Sequence, residues 1–151
     1  MSAHPSFPLS RRDFDDIYGR VPRLCVEVVI REPDGVLLVR RDIEPARGQW
    51  HLPGGTVLFG ESLPAAVARV AGRELGVTVA AGELLGYVEY PLIAASGYRG
   101  WPVGLAFAAT IVSGHLVGSD EGRQIGWFRD IPSDTIGEQA DFLRQLVALP
   151  S

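Results

Sequence analysis

The chain has 151 residues, of which 46% are hydrophobic and 21% charged, with a formal net charge of −4. That length suits one domain with a sizeable core, and the acidic balance excludes a general affinity for nucleic acid. The single Cys25 excludes an internal disulfide and a cysteine-held metal, and no apolar run reaches membrane-spanning length.

Residues 1–8, with His4, Pro5 and Pro8, read as a flexible lead-in to a single domain over 9–151. They show no apolar signal segment, so the cytoplasm is the expected compartment and no membrane partner is expected. Ser10 opens RRDFDDIYGR, predicted to be a short helix with Phe14 and Ile17 inward and Gly19 at its end. Residues 24–30, LCVEVVI, read as a strand, residues 32–35 as an EPDG turn, and residues 36–39 as the hairpin partner. Glu27 interrupts that first strand. Period-two alternation allows it to face outward, and burying it unpaired would be costly. Cys25, in the same run, reads as a buried and inert thiol.

Residues 40–50, RRDIEPARGQW, form a loop into a short strand that carries His51. Arg40, Arg41 and Arg47 bring positive charge to this loop, and Trp50 reads as core. The next stretch, GGTVLFGESLPAAVARVAGRELGV over 54–77, reads as a glycine turn, a loop, one helix and a glycine stop. Gly54 and Gly55 allow a tight turn and the close approach of a ligand. Pro64 suits a helix start, with Ser62 or Glu61 as the N-cap, and Leu63, Val67, Val70 and Ala71 recur at helical spacing. Gly76 suits the residue after the helix. Positions i, i+3 and i+4 share a helix face, which here reads Val70, Arg73 and Glu74 and so carries a single carboxylate.

Residues 78–90 should hold a strand, with a turn at Ala81 and Gly82 and the apolar Leu84, Leu85 and Val88 beyond it. Residues 91–100 read as a loop of small residues around Tyr98 and Arg99, followed by Trp101. The apolar run 103–112 is expected as a central strand buried on both faces, ending in a turn that exposes His115. Residues 119–128, SDEGRQIGWF, combine an acidic loop with a short strand. Phe142, Leu143, Leu146 and Val147 predict an amphipathic helix over 138–149 that covers the sheet.

The stretch 54–77 resembles the signature of the Nudix hydrolases, G-x5-E-x7-R-E-U-x-E-E-x-G-U, where U is aliphatic. Gly55, Glu61, Arg69, Ala71, Glu74, Gly76 and Val77 match, whereas Val70 and Arg73 replace two of the family's acids. The loss is similar to that in the GDP-mannose mannosyl hydrolase branch, which also begins with a D-F-containing helix and a proline, as Asp13, Phe14 and Pro22 do here. The resemblance covers about residues 9–149. It implies an α/β (α+β) chain folded as the Nudix α/β/α sandwich around a mixed β-sheet, and a homodimer.

The implied activity is hydrolysis of a nucleoside diphosphate sugar, with water attacking the sugar C1 and the nucleoside diphosphate leaving. Glu27 would contact the sugar and Arg41 the diphosphate, since a guanidinium fork suits phosphate oxygens. Arg69 would offset charge on the leaving group or brace the loop by pairing with Glu61. Tyr98 and Trp101 are candidates to stack on the base. One Mg²⁺, or Mn²⁺, would be held by Glu74, the Gly55 carbonyl and Glu121, because Mg²⁺ needs only one or two carboxylates beside phosphates and water. Gly122 stands where the mannosyl branch carries its catalytic histidine, which leaves Glu121, Asp120 or His51 as the base. Two other functions remain open. One is ordinary attack at phosphorus. The other is a domain that binds a nucleotide without turning it over.

Overall fold

The computed structural model describes residues 9–118 and 124–148. Helix α1 (Arg11–Tyr18) starts where Ser10 accepts a hydrogen bond from the Asp13 amide at 3.1 Å, and Gly19 closes it. Phe14 is buried as expected, but Ile17 is 39% exposed, because a helix of two turns lying on the surface turns only one large apolar residue inward.

Strands β1 (Arg23–Glu32) and β2 (Gly35–Arg40) form the anticipated hairpin, with Glu32 opposite Gly35. Gly35 has φ +119°, and any side chain there would collide with the Phe128 backbone. Strands β3 (Trp50–His51) and β4 (Gly54–Thr56) pair with β2 and β1, helix α2 (Leu63–Leu75) follows, and β5 (Val77–Glu89) returns to the sheet. Helix α3 (Pro91–Ala95) is a single turn, started by a proline that tolerates the first position, within the segment expected as loop. Strand β6 (Pro102–Gly114) lies parallel to β1 and antiparallel to β5, β7 (Gln124–Phe128) pairs with β2, and α4 (Gly137–Ala148) ends the described chain.

The sheet order is β3-β2-β1-β6-β5, with β4 on β1 and β7 on β2, so the sheet is mixed and open. One face packs under α2 through Val67, Val70, Ala71 and Leu75, together with Val26, Val28 and Ile30 of β1. The other face packs under α4 through Leu143, Phe142 and Leu146, together with Val29, Leu38 and Leu52. This is the expected α/β/α sandwich. Strand β1 is buried on both sides, and its period of two sends Glu27 to the α4 face with Val29 rather than outward to solvent.

Two strand readings change in detail. Strand β5 runs unbroken through Ala81 and Gly82, and register shifts between Ala81 and Leu84 and between Leu84 and Gly86 replace the expected turn. Bulges of this kind absorb extra residues while the ladder continues. Strand β6 is central, but its far end leaves the helix cover and Val112 is 65% exposed. No helix among the described residues is long and apolar enough to cross a membrane.

Candidate functional site

The face of β1 under α4 presents Arg23, Cys25 and Glu27 in a row, because alternate residues of a strand share a face. They form one wall of a cavity of about 150 Å³ that β4, the Arg41 loop, Tyr90, Tyr98 and α4 complete. Glu27 lies at its heart and is 6% exposed. Its carboxyl occupies space that only glycine leaves open. A Cβ at Gly104 would sit 2.6 Å from Glu27 Oε1, and one at Gly54 would collide with Oε2.

A directional chain of hydrogen bonds fixes the Glu27 carboxyl. The Leu52 amide donates to Gln139 Oε1 at 2.6 Å, so the other end of that side chain must be the amide nitrogen. Gln139 Nε2 then donates to the Tyr90 hydroxyl at 2.8 Å, and Tyr90 donates to Glu27 Oε1 at 2.9 Å. Burial pushes the Glu27 carboxyl up to about 8, against the opposing pull of the Tyr90 hydrogen bond and of Arg23 and Arg41. That shift favours the protonated acid near neutral pH. Oε1 already accepts from Tyr90, so the proton belongs on Oε2. Burial, Glu27 beside it and its donation to that carboxyl raise the Tyr90 hydroxyl well above its usual range, so Tyr90 stays a donor.

Arg41 belongs to the same cavity, and its Nε donates to the Pro45 carbonyl at 2.6 Å. His51, also buried, is lowered to about 4 by burial first and by the Arg41 charge second. Its Nδ1 lies 2.6 Å from the Leu52 carbonyl, which only accepts, so Nδ1 carries the hydrogen and Nε2 the lone pair. Arg23 donates from Nη1 to Thr56 Oγ1 at 2.8 Å and from Nη2 to the Tyr98 hydroxyl at 3.1 Å, with the Phe14 ring 5.5 Å away. Burial works against its charge, but Cys25, Tyr98 and Glu27 outweigh that and raise it. Burial also pushes the Cys25 thiol up to about 11, despite the Arg23 charge beside it, consistent with an inert thiol.

On the opposite face of the sheet, Ser62 rather than Glu61 caps α2, accepting from the Ala65 amide at 3.2 Å. Glu61 is engaged by Arg69 instead, with contacts of 2.7 and 3.0 Å, and Arg69 also donates to the Thr56 carbonyl at 2.7 Å. The Arg69 hydrogen bond to Glu61 holds that carboxyl below its usual range. Arg69 thus ties the loop to α2 and to β4, and it is not part of the cavity wall. Val70 is 2% exposed and belongs to the core, and a Cβ on Gly55 would stand 3.1 Å from its Cγ2. Glu74 is half-buried.

Among the described residues there is no group of three or more histidine, cysteine or acidic side chains placed to hold a metal ion. Of the ligands the sequence suggested, the Glu74 carboxylate and the Gly55 carbonyl lie among the described residues. That hard, sparse donor set fits a single divalent cation that completes its shell with phosphate and water, and it does not fit a preformed cluster. Asp120, Glu121 and Gly122 lie outside the described residues.

The structure therefore brings Glu27, Arg41, Tyr98, His51 and Gly55 into one cavity, and leaves Arg69 and Glu74 on the α2 side. Trp101 is exposed and outside that cavity, His115 is exposed, and Trp50 packs edge-on against Phe128 at 4.8 Å, as core. Sequence reasoning missed Arg23, Tyr90 and Gln139. Arg23 had a signal in its alternation with Cys25 and Glu27. Tyr90 and Gln139 belong to no local pattern and meet only because the chain folds.

The family described as "NUDIX domain" matches residues 21–128. A protein named "Low-salt glycan biosynthesis protein Agl8", from Haloferax volcanii, is 44% identical over 86 residues, which are 57% of this chain and 55% of that one. A protein named "ADP-ribose pyrophosphatase", from Methanocaldococcus jannaschii, is 29% identical over 107 residues, 71% of this chain and 62% of that one. The chain thus spans little more than half the length of these relatives. Among solved structures, a MutT NUDIX hydrolase from Burkholderia pseudomallei superimposes with a TM-score of 0.74 and 30% identity, over 83% of this chain and 98% of that one.

Proposed function

This chain belongs to the Nudix family, and from that premise we propose that it hydrolyses a nucleoside diphosphate sugar by attack of water at the sugar C1. The reading is carried by one observation, a buried Glu27 carboxyl and a loop-held Arg41 guanidinium in the same small cavity. In this reading Glu27 donates a hydrogen bond from its carboxyl to a sugar oxygen. Arg41 presents a guanidinium to the diphosphate. The C1–O bond breaks, its electron pair leaves with the diphosphate, and the Arg41 charge offsets that developing dianion. Glu121, Asp120 or His51 takes the proton of the attacking water, and His51 enters this choice as a neutral ring with Nε2 unprotonated. A divalent cation, Mg²⁺ in this reading or Mn²⁺, would be held by Glu74, the Gly55 carbonyl and Glu121, and would supply positive charge to the diphosphate. Burial of Val70 in the core supports chemistry that needs few acids on α2. The same reading includes a homodimer.

A second reading, attack at phosphorus with release of a monophosphate, is favoured by the name of the Methanocaldococcus jannaschii relative. ³¹P NMR with nucleoside diphosphate sugars in ¹⁸O-labelled water separates the two. Label in the sugar and an unlabelled nucleoside diphosphate support attack at C1, whereas label in a monophosphate moves the chemistry to phosphorus. Binding without any product would mark a domain that holds nucleotides and no longer cleaves them.

A further inference from the structure

The cavity brings two guanidiniums together in a chain whose net charge is −4. Arg41 serves the diphosphate in the reading above, and Arg23 has no part in it. Arg11, Arg20, Arg47, Arg69, Arg129 and Arg144 each pair with a carboxylate. Arg23 makes no such pair among the described residues. Its Nη1 donates to Cys25 Sγ at 3.0 Å and to Thr56 Oγ1 at 2.8 Å, and its Nη2 to the Tyr98 hydroxyl at 3.1 Å. All three are neutral groups. Glu27, the acid on the same face of β1, is held by Tyr90 instead. Arg23 is half-buried, and Tyr98 lines the cavity beside it, which places Nη2 at the cavity wall. A guanidinium has five N–H donors, so Nη2 keeps a second hydrogen after Tyr98 is served. The Arg23 amide donates to the Trp101 carbonyl at 2.9 Å and the Phe14 ring lies 5.5 Å from the guanidinium, so the charge is held in place. A confined charge without a counter-charge is costly, and an anionic ligand offsets that cost on binding.

We propose that Arg23 recognises a carboxylate on the sugar, so that the substrate is a nucleoside diphosphate uronic acid rather than a neutral sugar nucleotide. This rests on the nucleotide-sugar reading above and narrows its substrate class. Arg41 enters the cavity from the end of β2, whereas Arg23 stands at the start of β1 beside Pro102 of β6. The two cations thus come from different strands and can serve different groups of one ligand. Glu27 feels both charges. Along β1 it lies four residues from Arg23, about 13 Å of backbone, and the side chain between them on that face is the short Cys25. With the diphosphate at Arg41 and the ring against Glu27, a carboxylate on the ring meets the Arg23 charge and the remaining Nη2 hydrogen. A neutral hydroxymethyl group in its place would leave that charge uncompensated.

Isothermal titration without divalent cation, to suppress turnover, tests this on pairs that differ only in the acid group. The pairs are UDP-glucose with UDP-glucuronic acid, GDP-mannose with GDP-mannuronic acid, and glucose 1-phosphate with glucuronic acid 1-phosphate. In at least one pair the acid should bind the wild type about 10-fold or more tighter than its neutral counterpart. Arg23→Gln should bring that ratio down to about 1, and Arg23→Lys, which keeps the charge, should retain part of it. The ratio is read within each protein, so a variant that weakens both ligands alike leaves it unchanged. Arg23→Met keeps the apolar stem against Phe14 and gives the same comparison where the Gln variant does not fold. No preference for the acid in any pair would overturn the proposal. So would a ratio preserved without the Arg23 charge, which would place Arg23 on the diphosphate or in the scaffold alone. Attack at phosphorus, or no hydrolysis, would count against the proposed reaction and leave these ratios to judge Arg23.

Discussion

Replacing Glu27 by Gln should remove a specific pH dependence of stability. In the folded chain the carboxyl titrates near 8, whereas its ordinary value is 4.5. The folded state therefore binds more protons than the unfolded state between those values, and stability falls as pH rises through that window. His51 acts with the opposite sign, since its folded value near 4 lies below its ordinary 6.5, and the part of its unfolded-state titration left above pH 6.5 is common to both proteins. The difference between wild type and Glu27→Gln from pH 6.5 to 8 thus isolates Glu27. Over that interval the loss should reach about 1.6 kcal/mol at ~1.36 kcal/mol per unit, since the group is half titrated by pH 8, or roughly 3–7 °C in Tm for a domain of this size. Gln is neutral at every pH and can still accept from Tyr90, so its Tm should be flatter by that amount. Thermal unfolding followed by circular dichroism at pH 6.5, 7.25 and 8 supplies both curves, and other titrating groups cancel in their difference. A constant difference in Tm between the two proteins across the interval would refute a buried, protonated Glu27.

Arg69→Ala removes the tie between Glu61, β4 and α2, and it should cost about 2 kcal/mol, the pair being partly solvated, read as a lower urea midpoint at unchanged slope. Cys25, held as a thiol well past neutral pH, should react with a thiol reagent at pH 8 only as the protein unfolds, and stoichiometrically in denaturant. Glu74→Gln should abolish divalent-cation-dependent turnover while leaving the unfolding free energy from urea titration within about 1 kcal/mol, and unchanged turnover would remove Glu74 from the metal site. Gly54→Ala should be strongly destabilising because its methyl group meets the Glu27 carboxyl, and a shorter side chain at position 27 should recover part of that loss in a double-mutant cycle.

The architecture was legible because local patterns carried it. The hairpin around Gly35, the helix between Pro64 and Gly76 and the amphipathic α4 each announce themselves within a few residues. The site was legible only where chemistry coincides with a spaced motif or a loop charge, as for Gly55 and Arg41. Glu27 was visible as an anomaly in an apolar strand, but its partners were not, because Tyr90 and Gln139 stand 63 and 112 positions away in the chain. No period links such residues. The expected turn at Gly82 went wrong for a related reason: a glycine before a polar residue marks either a turn or a bulge, and only the partner strand β6 decides which.

The two adjacent glycines of the motif explain how the sequence joins the two faces of the sheet. Strand β4 alternates as any strand does, so Gly54 points toward Glu27 under α4 while Gly55 points toward Val70 under α2. Neither direction has room for a methyl group at ordinary contact distance. The pair is therefore not simply a flexible turn. It lets β4 press against a buried acid on one side and a core helix on the other. In this chain the helix side has given position 70 to the core, and the polar groups that remain around Glu27 have gathered on the far side. Substrate recognition by this chain is then expected to follow from β1, Arg41 and α4, with α2 contributing support through Arg69 and one carboxylate through Glu74.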